Sequence, residues 1–387
     1  RWSQSGARGW SYDDCLPAFR RMETFAGPDS EFRGKDGPVQ VGEVPEPSEG
    51  CRAFVEACTR LGFERNPDNN AAWFEGVAPN QLNVHRGWRW SPATAYLKPA
   101  LHRPNLHVET ERVGQRILFR DGRAVGVVVR GPGGDETWLA VIVCAGAIET
   151  PKLLMLSGIG DGAALQEMGI PVTAHAPEVG KNLQDHFMVR YAFRTRPCGT
   201  LNEIMANPVR AAGLGLGWFL RRKNQMAVGA SEASLFARVL PGSEEPEVQF
   251  QFVNFSLGDQ SRGASSLAKY PGFTFNFCVC RPDSRGELTL RAPNADIKPV
   301  IRANYLSAAS DIRIMLESAK LGRRIAATQP FAGLIEREEF PGPGTQSDDQ
   351  VLDYIRANGA TVYHPCGTNR MGSDDRSVVD PELRVRG

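Results

Sequence analysis

No Cys-x-x-Cys pair occurs in the 387 residues, and the eight cysteines are scattered from Cys15 to Cys366. Only Cys366 lies near a histidine, His364, so the ligand spacing of a structural zinc site is missing. No metal is expected, and the thiols read as small core residues of a reducing compartment. Neither sign of charge dominates: 45 Lys and Arg face 44 Asp and Glu, for a net +1. Without a basic stripe to track phosphates, nucleic acid is not an expected partner. Long apolar runs are missing too. The most apolar tract, residues 139–160, contains Glu149 and Lys152, and residues 211–220 are too few to cross a bilayer. No membrane span is expected. The opening Arg1-Trp2-Ser3-Gln4 is not the start of a signal peptide, and on that reading the location is cytoplasmic.

What is present is glycine, 40 residues of it, and proline, 27, which divide the chain into short elements. Ser11 is placed to cap a helix over 12–23, and residues 52–61 carry Phe54, Val55, Cys58 and Leu61 at helical spacing with Gly62 as the stop. Ser91-Pro92 opens a third helix through Leu97. Arg116–Phe119, an Asp121-Gly122 turn and Ala124–Arg130 read as a hairpin. Residues 137–144 read as a strand buried on both faces, broken by Ala145-Gly146-Ala147 and followed by a short helix from Lys152 to Leu156. A strand, a glycine turn and a helix bring bare backbone amides to a ligand. The second half of the chain looks different. Val248–Phe255 and Phe273–Val279 alternate, with another strand at Glu287–Arg291, as in an antiparallel sheet. Ser310 is read as the cap of a helix carrying Ile312, Met315 and Ala319, and Ser347-Asp-Asp-Gln350 as a capping box. Residues 211–220, ending in Arg221-Arg222-Lys223, read as a lid or surface helix over a pocket, with an interfacial helix as the alternative.

Three distant stretches match one family in order. Gly146-Ala-Ile-Glu-Thr-Pro-Lys-Leu-Leu-Met-Leu-Ser-Gly-Ile-Gly160 resembles the second signature of the glucose–methanol–choline (GMC) oxidoreductases, with Glu149 where many members have Asn. Val179-Gly-Lys-Asn-Leu-Gln-Asp-His186 resembles the segment that follows it. Tyr363-His-Pro-Cys-Gly-Thr-Asn-Arg-Met-Gly372 and Val378–Gly387 are similar to the active-site histidine loop and its return, with Asn369 where Cys is common. Smaller echoes lie at 9–14, 33–38, 91–97 and 281–286, and the pattern is most like the choline dehydrogenase-like branch. The resemblance implies an α/β, overall α+β, protein. It would combine an incomplete Rossmann-type FAD-binding domain (1–187) with a substrate domain built on an antiparallel sheet flanked by helices (188–371), the chain returning at 372–387. FAD is the implied cofactor. A choline-like or other primary alcohol is the implied substrate, and oxygen or a quinone the electron acceptor. The family's opening strand and GxGxxG turn are not among these residues, nor is its second active-site His or Asn, so the sequence reads as truncated at both ends. An inactive fragment unable to hold FAD, or a member with lyase chemistry, are the alternatives.

Residue by residue, the resemblance makes His364 the catalytic base, since imidazole takes a proton at neutral pH. Gly146 and Ala147 would meet FAD through their backbone, and Gly114 stands where relatives place a Val whose backbone meets the adenine. Asn182, Asp185 and His186 read as structural, through their local hydrogen-bonding capacity. Glu232 reads as a solvated carboxylate, Cys366 as packing, and His85, His102, His107 and His175 as surface or core histidines.

Overall fold

The computed structural model describes residues 2–139, 142–258 and 266–386. In chain order its main elements are helices α1 (Tyr12–Met22) and α2 (Glu49–Arg60), strand β1 (Gly76–Pro79) and strands β2 (Val113–Arg120), β3 (Arg123–Gly131) and β4 (Gly134–Leu139). Helix α3 (Gly146–Leu156), strand β5 (Phe187–Thr195) and helix α4 (Pro208–Arg221) come next. The chain continues with β6 (Ala233–Ala237), β7 (Val248–Val253), β8 (Gly272–Val279), α5 (Ala309–Ala326), β9 (Ile335–Phe340), α6 (Asp348–Asn358) and β10 (Ala360–Thr361). Helix starts follow the local chemistry. Ser11 and Asp14 form one capping box, Ser347 and Gln350 another, and Ser48 caps α2 by accepting from Cys51 N.

Six strands form an antiparallel sheet in the order β9-β5-β8-β7-β6-β1, and β10 adds to the start of β5. Alternation sends Val189, Tyr191 and Phe193 of β5 to one face, with Phe250 and Phe252 of β7 and Phe273, Phe275 and Phe277 of β8. Register sets Tyr191 beside Phe275, and Phe275 beside Phe252. Helices α2 and α5 cover that face, and Phe331 stacks on Phe273 with ring centres 4.5 Å apart. Burying each of these rings contributes about 1.5–3 kcal/mol. The opposite face carries a polar row of Ser234, Gln251, Asn276 and Arg190 at matched positions.

A second, smaller core joins the β2-β3-β4 meander to α3. Ile117, Leu154, Met155, Ile159 and Val179 meet Leu288, Leu290 and Val378, and Ile117 N donates to Ser157 Oγ at 2.8 Å. Core membership thus does not follow chain order: α2 and β1 belong to the large sheet, and Leu288 to the small core.

Three sequence expectations change here. The buried strand over 137–144 is replaced by the edge of the meander. β4 ends at Leu139, which is 83% exposed, and Ile142 is 93% exposed. Ala140 and Val141 of that expectation lie outside the described residues. Helix α3 starts at Gly146 rather than Lys152 and carries Pro151 within its second turn. Ser310 is not a cap, because α5 begins one residue earlier with Ala308 before it. The Ser310 hydroxyl donates to Asp283 instead, while buried Asp311 accepts from Asp283 N and Ser284 N at 2.9 Å each, so tertiary contacts set that helix start.

Candidate active site

Strand β10 pairs with the first two residues of β5, and Val362 N donates to His186 O, which carries the sheet register into the loop holding His364. The loop is then fastened along 180–186. Gln184 and Cys366 exchange backbone bonds at 2.9 and 2.8 Å, Gly180 N donates to Thr368 O at 2.9 Å, and Asn182 Nδ2 donates to Gly367 O at 3.1 Å. Gly367 has φ +93, and a Cβ there would stand 2.4 Å from Asn182 O, so only glycine fits. Tyr363 also takes a left-handed φ of +63 while 84% exposed. Such strain in a non-glycine residue persists where surrounding bonds over-determine the backbone.

Asp185 supplies most of that constraint. Its Oδ1 accepts from His364 N at 3.0 Å, and its Oδ2 accepts from Tyr305 OH at 2.5 Å and from the Thr361 hydroxyl. Burial, and secondarily the bond to Asp185, pushes the Tyr305 phenol from 10.0 up to about 12, so it remains a donor at neutral pH.

The His364 ring is exposed and meets one other imidazole. Its Nδ1 lies 3.5 Å from His186 Nδ1, with ring centres 5.6 Å apart. His186 Nε2 lies 2.9 Å from Cys280 O. A carbonyl only accepts, so His186 Nε2 carries the hydrogen and its Nδ1 offers a lone pair. His364 Nδ1 faces that lone pair, within hydrogen-bond reach.

Thr368 ties the same loop to α3 by donating to Ala147 O at 2.6 Å. The histidine loop and the Gly146-Ala147 turn are thus brought together. Ala145 provides no side-chain cap to α3, so the amides of the first turn lack a capping side chain. Gly146 has φ +76 and nothing within 4 Å of where a Cβ would stand. Bare amides at the positive end of an 11-residue helix, open space over Gly146 and exposed Ile142 nearby fit a large anionic, partly apolar cofactor such as FAD. Gly114 lies in β2, where a Cβ would face Leu153 of α3 and Val127 of β3. A Cβ there would meet only ordinary contacts at 3.8 Å and beyond, so no glycine is required and a backbone contact would be the same with Val.

Other sequence readings resolve differently. Asn182, Asp185 and His186 are structural as expected, but the structure they serve is the His364 loop. Their spacing in Asn182-Leu-Gln-Asp-His186 was the available signal; the partners, 94 to 185 residues away, were not. Glu232 is not solvated: it is 3% exposed beside α2, accepting from Ser48 N at 2.8 Å. Cys366 is exposed rather than packed, and the loop uses its backbone. Its thiol is raised, by desolvation first and the Asp185 charge second, which disfavours a thiolate. His175 accepts from Gly162 N, and His85 lies edge-on to Trp90. Of the eight cysteines, Cys51, Cys58, Cys198 and Cys278 are buried, while Cys144 and Cys366 are exposed.

Comparison with known proteins bears on the family and the fold. Residues 1–188 match the N-terminal profile, and residues 282–387 the C-terminal profile, of a family described as GMC oxidoreductase. The oxygen-dependent choline dehydrogenase of Brucella suis biovar 1 (strain 1330) is 40% identical over all of this chain and 70% of its own length. That of Rhizobium etli is 38% identical with the same coverage. Among solved structures, pyridoxine 4-oxidase from Mesorbium loti superposes with a TM-score of 0.86 at 28% identity, over 99% of this chain and 72% of its own. A formate oxidase superposes at 0.89 over 99% of this chain and 73% of its own, and at 23% identity it shares the fold. No helix among the described residues is long and apolar enough to cross a membrane. The chain belongs to the GMC oxidoreductases, and it is an FAD-dependent enzyme that oxidises the CH–OH group of a small-molecule alcohol.

Proposed function

We propose that His364 is the base of this oxidation and that Nε2 is the atom that takes the hydroxyl proton. The observation that carries the reading is the pair of imidazoles. His186, held by the Cys280 carbonyl, presents an acceptor to His364 Nδ1 and so orients Nε2 toward the open side. When the alcohol is oxidised, its O–H bond breaks and the proton passes to Nε2. The C–H bond breaks with its electron pair, and bound FAD supplies the hydride acceptor. The imidazolium left on His364 keeps its Nδ1–H on His186, a neutral acceptor that stabilises the charge. Asp185 holds the backbone of His364 and limits the ring's travel, as does Pro365 by confining His364 to extended conformations.

Gly146 and Ala147 are the residues that hold FAD near the histidine loop, and Gly114 meets it from β2. Residues 1–187 form the cofactor domain, 188–371 the substrate domain, and 372–387 the return. The substrate is a primary alcohol, choline-like or otherwise, with oxygen or a quinone as acceptor, and the enzyme works in the cytoplasm. The test is His364→Ala in the FAD-loaded enzyme. Flavin should remain bound while the anaerobic rate of flavin reduction falls by roughly 10²–10⁴, the usual worth of a positioned base. Reduction at the parent rate would show that the histidine is structural.

A further inference from the structure

Helix α4 turns its apolar stripe outward. Val209, Leu216 and Leu220 share one face at helical spacing and are 81, 60 and 69% exposed, with Phe219 beside them at 64%. None of the helix's fourteen residues is buried. Met205 before it and Met226 after it add further exposed apolar surface. The inner side is held by the hairpin at residues 84–89. Trp218 Nε1 donates to Gly87 O at 3.1 Å, and the Trp88 and Trp218 rings meet edge-on at 4.7 Å, leaving Trp88 58% exposed. Arg222 lies over Trp218 at 4.1 Å and over Phe219 at 5.4 Å.

The charge around this stripe is one-sided in a chain that is otherwise balanced. Arg210 and Arg221 lie in the helix, Arg222 and Lys223 follow it directly, and the packed hairpin carries Arg86 and Arg89; residues 204–231 and 84–98 contain no acid. An outward apolar stripe with no hydrogen-bonding side chain, a tryptophan at its margin and a cationic rim match a lipid surface with anionic headgroups. A protein partner of that breadth would ask for polar pairing groups within the patch. The helix is too short to span, so it would lie in the plane of the surface.

We propose that α4 and the 84–89 hairpin form a peripheral docking surface for an anionic phospholipid bilayer. Val209, Leu216, Phe219 and Leu220 enter the headgroup boundary while the arginines and Lys223 stay among the phosphates. The inference stands independently of which alcohol is oxidised. Co-sedimentation of the FAD-loaded enzyme with phosphatidylglycerol–phosphatidylcholine vesicles at about 0.1 M salt tests it. Binding is expected to those vesicles and not to phosphatidylcholine alone. Leu216→Glu with Leu220→Glu should lower the affinity tenfold or more while leaving the solution rate with a soluble alcohol unchanged. Arg221→Gln with Lys223→Gln, which leaves the apolar stripe intact, should weaken binding several-fold and flatten its salt dependence. Three results would overturn the proposal: no vesicle binding by the parent, equal binding to both vesicle types, or a concentration-dependent dimer lost in the Leu216→Glu, Leu220→Glu protein without vesicle binding.

Discussion

The large sheet and the small core around α3 bury themselves to different degrees. One face of the sheet is lined and covered by Phe54, Phe193, Phe250, Phe252, Phe273, Phe275, Phe277 and Phe331, each at most 1% exposed. The small core has no aromatic among its buried members and borders Leu139 and Ile142, both turned outward. The sheet is therefore a self-sufficient scaffold that fixes β5, β10 and the loop carrying His364. The histidine loop is thus set by a closed aromatic core, whereas the start of α3 rests on the smaller, aliphatic one.

Core substitutions break this comparison most sharply. Phe275→Ala removes a ring touched by Phe54, Tyr191, Phe193 and Phe250, and should cost about 3–5 kcal/mol in denaturant unfolding. Leu154→Ala in the small core should cost about 2–3 kcal/mol, at the low end for leucine, because its surroundings are less closed and relax more easily. Equal losses would mean that the two regions are equally well packed.

At the site, the prediction concerns His186, which touches the reaction only through His364. His186→Phe keeps a ring of similar size and removes both the acceptor for His364 Nδ1–H and the bond to Cys280 O. Losing one oriented hydrogen bond, roughly 1.4 kcal/mol, should slow flavin reduction about tenfold with little change in substrate affinity. An unchanged rate would separate His186 from the chemistry.

The alkaline limit should come from the same loop. Tyr305 titrates at about 12 in the folded protein against an ordinary 10.0, because burial and its bond to Asp185 both favour the neutral phenol. A raised pKa means that the stabilisation is complete below pH 10 and is lost as pH rises toward 12. The melting temperature should therefore show a fall over that window that is absent in Tyr305→Phe. The same fall in both proteins would locate the alkaline transition elsewhere.

Legibility in the sequence followed the range of the interactions. The Ser11 and Ser347 capping boxes, the Asp121-Gly122 turn, with φ +50 and +71, and the alternation in β7 and β8 are set by residues within a few positions, and all were readable. Helix α5 starts where Ser284 and Asp283 hold it, not where its own serine suggested, and β1 joins the sheet from some 155 residues before β6. The run at 137–144 differs from its local reading because apolar composition alone does not say whether a stretch is covered, and Leu139 and Ile142 are exposed. The position of His364 in its loop was legible only through the family pattern. Its anchor, Asp185, reads locally as a structural residue, since nothing within ten residues reveals that Tyr305 and Thr361 donate to it.

The smallest expected effect is at Gly114, and it separates backbone use from a need for glycine. Gly114 sits in β2 with no positive φ, and a Cβ would rest at 3.8–3.9 Å from Leu153 and Val127, ordinary van der Waals separation. Glycine inside a strand costs about 0.5–1 kcal/mol relative to alanine through the freedom it gives the unfolded chain. Gly114→Ala should therefore stabilise the protein by about that amount and leave FAD affinity within a few-fold, because the added methyl group meets α3. By contrast, Gly146→Ala should destabilise by about 1–2 kcal/mol despite the open space, since its φ of +76 is costly for any residue with a Cβ. Should Gly114→Ala release FAD while Gly146→Ala retains it, the cofactor approaches β2 more closely than the start of α3.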